Sequence, residues 1–309
     1  DGKYTLKAVA VGSWISCYVN GTLVASTGDY LLQGTEKGQS TSIDEGYFGL
    51  LNWNGEMTFQ NTYYRPITEE NSPILEDVTV TSTGDVEKKG QFFPEEPTYF
   101  QYVKNNAAAV NIVPKKKNEG AKITVLGTDG KTEYPEGKNI PLEVGPNFLT
   151  VISSIPVDAD GTEATLTYRV NVHRRQADEI YYNEPYRGQY HYSVKDGWGN
   201  DPNGMIYYNG KYHFYYQFYE GTKHGPMHWA HASSTDMIHW EEEPIAIYPD
   251  ESGVMFNGYI VDDKDNTSGL FKPEDKCRLV ALITINGNGQ RLKAAYSTDE
   301  GKTWKKVKK

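Results

Sequence analysis

An all-β protein is predicted by three features of this 309-residue sequence. Apolar residues recur with a period of two, not 3.6, and helical periodicity is almost absent. The alternating runs are short and are bounded by Gly, Asn, Asp and Pro. Asn-Gly pairs stand between runs at Asn20-Gly21, Asn54-Gly55 and Asn209-Gly210, and Asn-Gly supplies the two left-handed residues of a tight hairpin turn. Residues 165–172 are the clearest strand. Leu166, Tyr168, Val170 and Val172 share one face, and Thr165, Thr167, Arg169 and Asn171 share the other.

Taken in order, residues 1–69 form a first module. It contains a hairpin over residues 14–24 that turns at Asn20-Gly21, and further strands over residues 46–60 through Asn54-Gly55. The Pro-containing stretch from Arg65-Pro66 to Ser72-Pro73 reads as a linker. Residues 73–175 form a second module with short strands at 75–80, 98–103, 122–126, 148–152 and 165–172, the spacing of a small β-sandwich. It holds no catalytic constellation, and a spacer role is its simplest reading. The third segment, residues 178–309, repeats itself. Ser234-Thr235-Asp236 followed by Trp240 returns as Ser297-Thr298-Asp299 followed by Trp304. A period of about 64 residues is the length of four strands with their loops, as in a propeller blade. About two blades of a five-bladed propeller are therefore expected.

Composition narrows the function. A formal net charge of −10 argues against nucleic acid, which needs a basic surface. No apolar run approaches the roughly 18 residues that span a membrane. The two cysteines, Cys17 and Cys277, fall in different modules, so no disulfide framework is expected. The 24 tyrosines suit half-buried sheet faces and sugar-stacking surfaces alike. Metal binding is unsupported. His228 and His231 are three apart and point to opposite faces of a strand. Asp263, Asp265, Thr267 and Glu274 loosely match a calcium loop, but Ser268 stands where that loop needs Gly.

The most informative stretch is Trp198-Gly199-Asn200-Asp201-Pro202-Asn203-Gly204. Pro202 disfavours the helical region for Asp201, so the acidic residue is extended. Asn203 and Gly204 then supply turn chemistry ahead of strands at residues 205–208 and 211–218. A carboxylate held on such an element serves as nucleophile, acid or ligand.

This motif resembles the nucleophile signature of glycoside hydrolase family 32, the invertases, inulinases and levanases. Phe214-Tyr215-Tyr216-Gln217, His228-Trp229-Ala230-His231-Ala232-Ser233, Phe256-Asn257-Gly258-Tyr259 and Asp299-Glu300-Gly301-Lys302-Thr303-Trp304 follow it in the order of that family. The second module resembles cadherin-like β-sandwiches. Tyr18-Val19-Asn20-Gly21 and Gly46-Tyr47-Phe48-Gly49-Leu50 resemble the second half of a laminin-G-like, levan-binding type of sandwich. In such a module Trp14 and Trp53 stack on sugar or, as core residues do more often, fill the interior.

The family resemblance implies hydrolysis of β-fructofuranosidic bonds in levan, inulin or sucrose, with retention and with no cofactor. Retention needs two carboxyl groups about 5 Å apart across the bond. Asp201 is cast as the nucleophile. Asn200, Gln217, Phe256, Asn257 and Trp198 are cast as substrate-binding, with His224 near the position of a pocket Trp. Gln217 lies on the strand face opposite Phe214, Tyr216 and Phe218, free to meet sugar while they pack. Two departures alter the pocket: Asn257 replaces a usual Ser, and Gly199 replaces a usual Met or Ile. The family's acid/base Glu and its Arg-Asp-Pro motif do not occur in this chain. Glu220, Asp250, Glu251 and Asp262 qualify for the acid by type only. The sequence thus reads as an internal piece of a secreted or cell-surface, multimodular fructan hydrolase, expected to be inactive alone. A fructosyltransferase using the same site, and a sugar-binding adhesin with a degenerate propeller, remain alternatives.

Overall fold

The computed structural model describes residues 3–12, 14–27, 33–36, 39–42, 58–94, 96–135, 137–179, 184–250, 252–287 and 289–307. Trp53, the Asn54-Gly55 turn, the stretch Gly46 to Leu50, and Glu251 lie outside the described residues. Every regular element among the described residues is a β-strand. The chain divides into two compact units, residues 1–36 with 41–177, and residues 37–40 with 178–309.

In the first unit, β1 (Leu6–Val11), β2 (Trp14–Val19) and β3 (Thr22–Thr27) form an antiparallel sheet. The expected turn at Asn20-Gly21 is present, with φ of 50° and 79°. β4 (Gln33–Glu36) and β5 (Gln39–Ser42) pair as a ribbon. The sandwich follows. β6 (Leu75–Ser82), β7 (Val86–Lys89), β8 (Thr98–Val103), β9 (Ala109–Lys116), β10 (Lys122–Leu126), β11 (Ile140–Pro141), β12 (Gly145–Pro156) and β13 (Glu163–Arg174) make two sheets, ordered β10-β12-β13-β8-β7 and β11-β9-β6. The alternation expected in β13 holds: Leu166, Tyr168, Val170 and Val172 are buried together with Leu75, Ile112, Leu149 and Val151.

Trp14 is fully buried, but against the sandwich and not inside a sandwich of its own. Its ring meets Tyr168 edge-on at 4.5 Å, and Tyr18 Oη donates to the Thr165 carbonyl at 2.9 Å. The Arg65 guanidinium binds Asp158 and Asp160 on the β12–β13 loop. The first sheet and the sandwich therefore share one apolar cluster.

The second unit contains two four-stranded antiparallel sheets. One is β14 (Trp198–Tyr208), β15 (Lys211–Tyr219), β16 (His228–Ser234) and β17 (Glu241–Ile247); the other is β18 (Val254–Asp262), β19 (Leu279–Gly287), β20 (Gly289–Ser297) and β21 (Lys305–Lys306). Both follow chain order, as propeller blades do. The sequence repeat is a structural one. After β16, Ser234 Oγ and Asp236 Oδ1 accept backbone N–H bonds and Met237 sits at φ 62°. After β20, Ser297 and Asp299 do the same around Glu300 at φ 62°. Trp240 and Trp304 each donate an indole N–H back into that turn.

One local expectation changes. Asn203-Gly204 is not a turn that precedes the strand, because β14 runs unbroken from Trp198. The two residues sit at a register shift between Asn203 and Ile206, where β14 has one residue more than β15; a second shift lies between Gly199 and Pro202. Gly204 takes φ 47°, and a Cβ there would meet Ile260 Cδ1 at 2.7 Å. A bulge with its left-handed residue supplied by Gly meets both constraints.

Candidate active site

β14 and β18 begin their sheets and lie in contact with one another. Each carries a one-residue bulge where a functional residue was expected. The β14 bulge between Gly199 and Pro202 contains Asn200 and Asp201. The β18 bulge between Met255 and Gly258 contains Phe256 and Asn257. A bulge breaks the strict alternation of a strand and re-aims its side chains.

These bulges converge on Gln217 of β15. Trp198 Nε1 donates to Asn200 Oδ1 at 3.3 Å. Asn200 Nδ2 donates to Gln217 Oε1 at 2.9 Å, and Gln217 Nε2 donates to Asn257 Oδ1 at 2.6 Å. Four side chains expected to bind substrate thus form one directed chain of hydrogen bonds. Gln217 is buried while Asn200 and Asn257 are exposed. The tie to a buried amide limits the freedom of the two exposed amides before any ligand arrives. Across the strand, Tyr216 and Phe218 pack in an apolar cluster with Phe214, the division expected from alternation. Phe256 is half-buried, and its carbonyl accepts from Trp229 Nε1 at 2.8 Å. Trp229 itself is fully buried and belongs to the core.

Asp201 is exposed at this edge, and no described residue donates a hydrogen bond to its carboxylate. Its backbone is held instead. Asn203 Nδ2 donates to the Asp201 carbonyl at 3.1 Å, while Asn203 Oδ1 accepts from the Gly258 N–H at 3.0 Å. Asn203 therefore staples the Asp201 bulge to the Asn257 bulge. Sequence reasoning assigned it to a turn and missed this role, because the staple joins residues 55 apart in the chain.

His224 is exposed on the loop between β15 and β16. Of the carboxyl groups considered for the acid by type, the three among the described residues have other neighbours. Glu220 Oε2 lies 2.9 Å from His228 Nε2, both fully buried. Burial and the Glu220 charge push the neighbouring Tyr248 hydroxyl up to about 12. Asp250 pairs with Lys306 at 2.9 Å, and Asp262 lies 3.8 Å from Lys264. Asp263 accepts four hydrogen bonds from Thr267 and Ser268, which hold it well below the usual carboxylate range in an inter-strand turn.

Residues 191–309 match the glycosyl hydrolases family 32 N-terminal domain. The resemblance to family 32 therefore extends over this segment. Residues 75–175 match the cadherin-like beta sandwich domain. The chain is similar to a fructan beta-fructosidase of Streptococcus mutans, 59% identical over 99% of this chain and 21% of that protein. It is also similar to a levanase of Bacillus subtilis, 50% identical over 42% of this chain and 19% of that protein. Among solved structures, the exo-inulinase from Aspergillus awamori is 37% identical over 41% of this chain and 28% of that one, with a TM-score of 0.38. The chain spans about a fifth of the length of the two curated relatives.

Proposed function

We propose that the family 32-like segment supplies the nucleophile side of a retaining β-fructofuranosidase site. Asp201 attacks the anomeric carbon of a fructosyl unit and displaces the glycosidic oxygen, which leaves as an alcohol with a proton from a second carboxyl group; water then cleaves the covalent fructosyl ester and returns a proton to that group. The observation that carries this reading is the bonded chain Asn200–Gln217–Asn257 beside an exposed carboxylate with no donor of its own among the described residues. Amides that donate and accept suit the hydroxyls of a ketose ring, and a carboxylate free of hydrogen bonds keeps its electron pair for attack. Trp198, Phe256 and His224 complete the rim. The second carboxyl group comes from none of Glu220, Asp250 and Asp262, which lie beside His228, Lys306 and Lys264 instead.

The S. mutans relative is named a fructan beta-fructosidase and the B. subtilis relative a levanase. Their names support fructans as substrates here. An extracellular setting is supported by the name of a further relative, the extracellular exo-inulinase of Aspergillus niger. Among the described residues no helix is long and apolar enough to cross a membrane. The proposed domain organisation is a laminin-G-like module over residues 1–69, a sandwich over 73–175 and the propeller part over 178–309.

The test is Asp201→Ala in the full-length protein, with fructose release from levan, inulin and sucrose as the readout. Release falls by at least about three orders of magnitude, the scale on which loss of a nucleophile acts. Undiminished release by the variant refutes the assignment.

A further inference from the structure

We propose that the cadherin-like sandwich carries a second carbohydrate-binding site, on the solvent face of its five-stranded sheet. Two adjacent cross-strand rows build it. In one, Phe148 of β12, Asn171 of β13 and Phe100 of β8 lie side by side. In the next, Thr150, Arg169 and Thr98 do the same. These residues line a groove of about 360 Å³, within the roughly 300–1,000 Å³ of small-ligand sites. Strands lie about 4.8 Å apart, so the two phenylalanines stand about 10 Å from each other with the Asn171 amide between them.

The floor of the groove is chemically incomplete. Asn171 Oδ1 is buried and has no hydrogen-bond partner among the described residues. A buried acceptor left unpaired is costly, so its presence in a groove points to a ligand that donates to it. Phe148, by contrast, is 60% exposed, a large apolar side chain turned to water on a strand whose inner face already packs the core.

The occupant that satisfies every group is a neutral sugar. A hydroxyl donates to Asn171 Oδ1 and at the same time accepts from the Arg169 guanidinium or a threonine hydroxyl. A carboxylate only accepts, so it leaves Asn171 Oδ1 unpaired and brings negative charge against it. An ammonium is repelled by Arg169. The C–H faces of a sugar ring cover the phenylalanine rings. The choice of fructan among neutral glycans rests on the function proposed for the family 32-like segment; the sugar site itself does not.

The experiment uses the 309-residue chain in affinity electrophoresis through gels containing levan, inulin, dextran or polygalacturonate. Levan or inulin retards the protein, Phe148→Ala and Asn171→Ala each weaken retardation at least about tenfold, and Val113→Ala, at an exposed position on the other sheet of the sandwich, leaves it unchanged. Phe148 is exposed enough for its variant to keep the fold, which far-UV circular dichroism and the melting temperature verify. Retardation by dextran alone that Phe148→Ala abolishes keeps the sugar site and removes the fructan assignment. Retardation by polygalacturonate alone, retardation lost in Val113→Ala but kept in Phe148→Ala, or no retardation in any gel overturns the proposal.

Discussion

Asn203 shows how one side chain fixes the backbone of two strands at the proposed site. Its amide donates to the Asp201 carbonyl and accepts from the Gly258 N–H, and the residue is buried. Removing it strands both backbone groups at the junction of two bulges. Asn203→Ala is expected to destabilise the family 32-like segment by about 1–3 kcal/mol, the cost of unpaired buried polar groups. It is also expected to lower kcat more than it raises KM, since Asp201 moves while Gln217 stays. Chemical denaturation and steady-state kinetics on the full-length protein measure the two effects, and unchanged kcat contradicts the positioning role. The neighbouring Gly204 is bound by geometry: its left-handed φ and the approach of Ile260 both exclude a side chain. Asp201 and Asn200 are proposed from the sequence alone because their motif is local. The staple is not, because nothing near Asn203 in the chain announces Gly258.

Among the elements, the two sheets of the second unit are alike in their turns and unlike in their interiors. Ser234-Asp236 and Ser297-Asp299 close equivalent turns with the same side-chain-to-backbone bonds, so the sequence repeat carried reliable structural content. The first sheet also buries an imidazole pair, His213 Nδ1 and His231 Nε2, 3.0 Å apart between β15 and β16. Burial, then the His213 charge, then Lys211 and Lys302 push His231 down to about 3, and burial lowers His213 as well. Both are neutral in the folded protein at pH values where the unfolded chain, with imidazoles near about 6.5, is protonated. The unfolded state then binds more protons, so stability falls as pH drops below about 6.5 and goes on falling towards about 3. Each tenfold change in proton affinity between the two states is worth about 1.4 kcal/mol, so the loss is on the order of a few kcal/mol. Denaturation midpoints between about pH 7 and pH 4.5 are expected to decline, and His231→Gln to flatten the decline. A flat wild-type profile contradicts the buried neutral pair. Alternation in a strand revealed that His213 and His231 sit on strands, but only the β15–β16 register opposes them.

Across the whole chain, sequence modules and compact units differ in one respect. Residues 1–69 read as a module, yet Val9, Trp14 and Tyr18 enter the same apolar cluster as Leu75, Leu166 and Tyr168. Trp14→Ala removes a fully buried indole from that junction and is expected to cost about 3–5 kcal/mol. If the sheet and the sandwich fold as one unit, hydrogen exchange in β12 and β13 accelerates in this variant. Unaltered protection there shows that the first module stands apart. In the second unit, Tyr259, Val261 and Leu292 expose apolar surface on the face of the β18–β21 sheet turned away from Ile260, Ile283 and Ala295. A sheet normally covers such a face with another layer.

Local sequence specifies the all-β class, the Asn-Gly hairpin at residues 20–21, the inward face of β13, the blade repeat and the motif around Asp201. Each depends on residues a few positions apart, where φ preference and side-chain period act directly. Folding in three dimensions settles where the bulges fall, that Asn200 and Asn257 meet on Gln217, that Trp14 docks on Tyr168, and that Asn171 lies orphaned between two phenylalanines. Those outcomes depend on strand register and sheet packing. They are set by the summed fit of many distant contacts, so no local pattern encodes them.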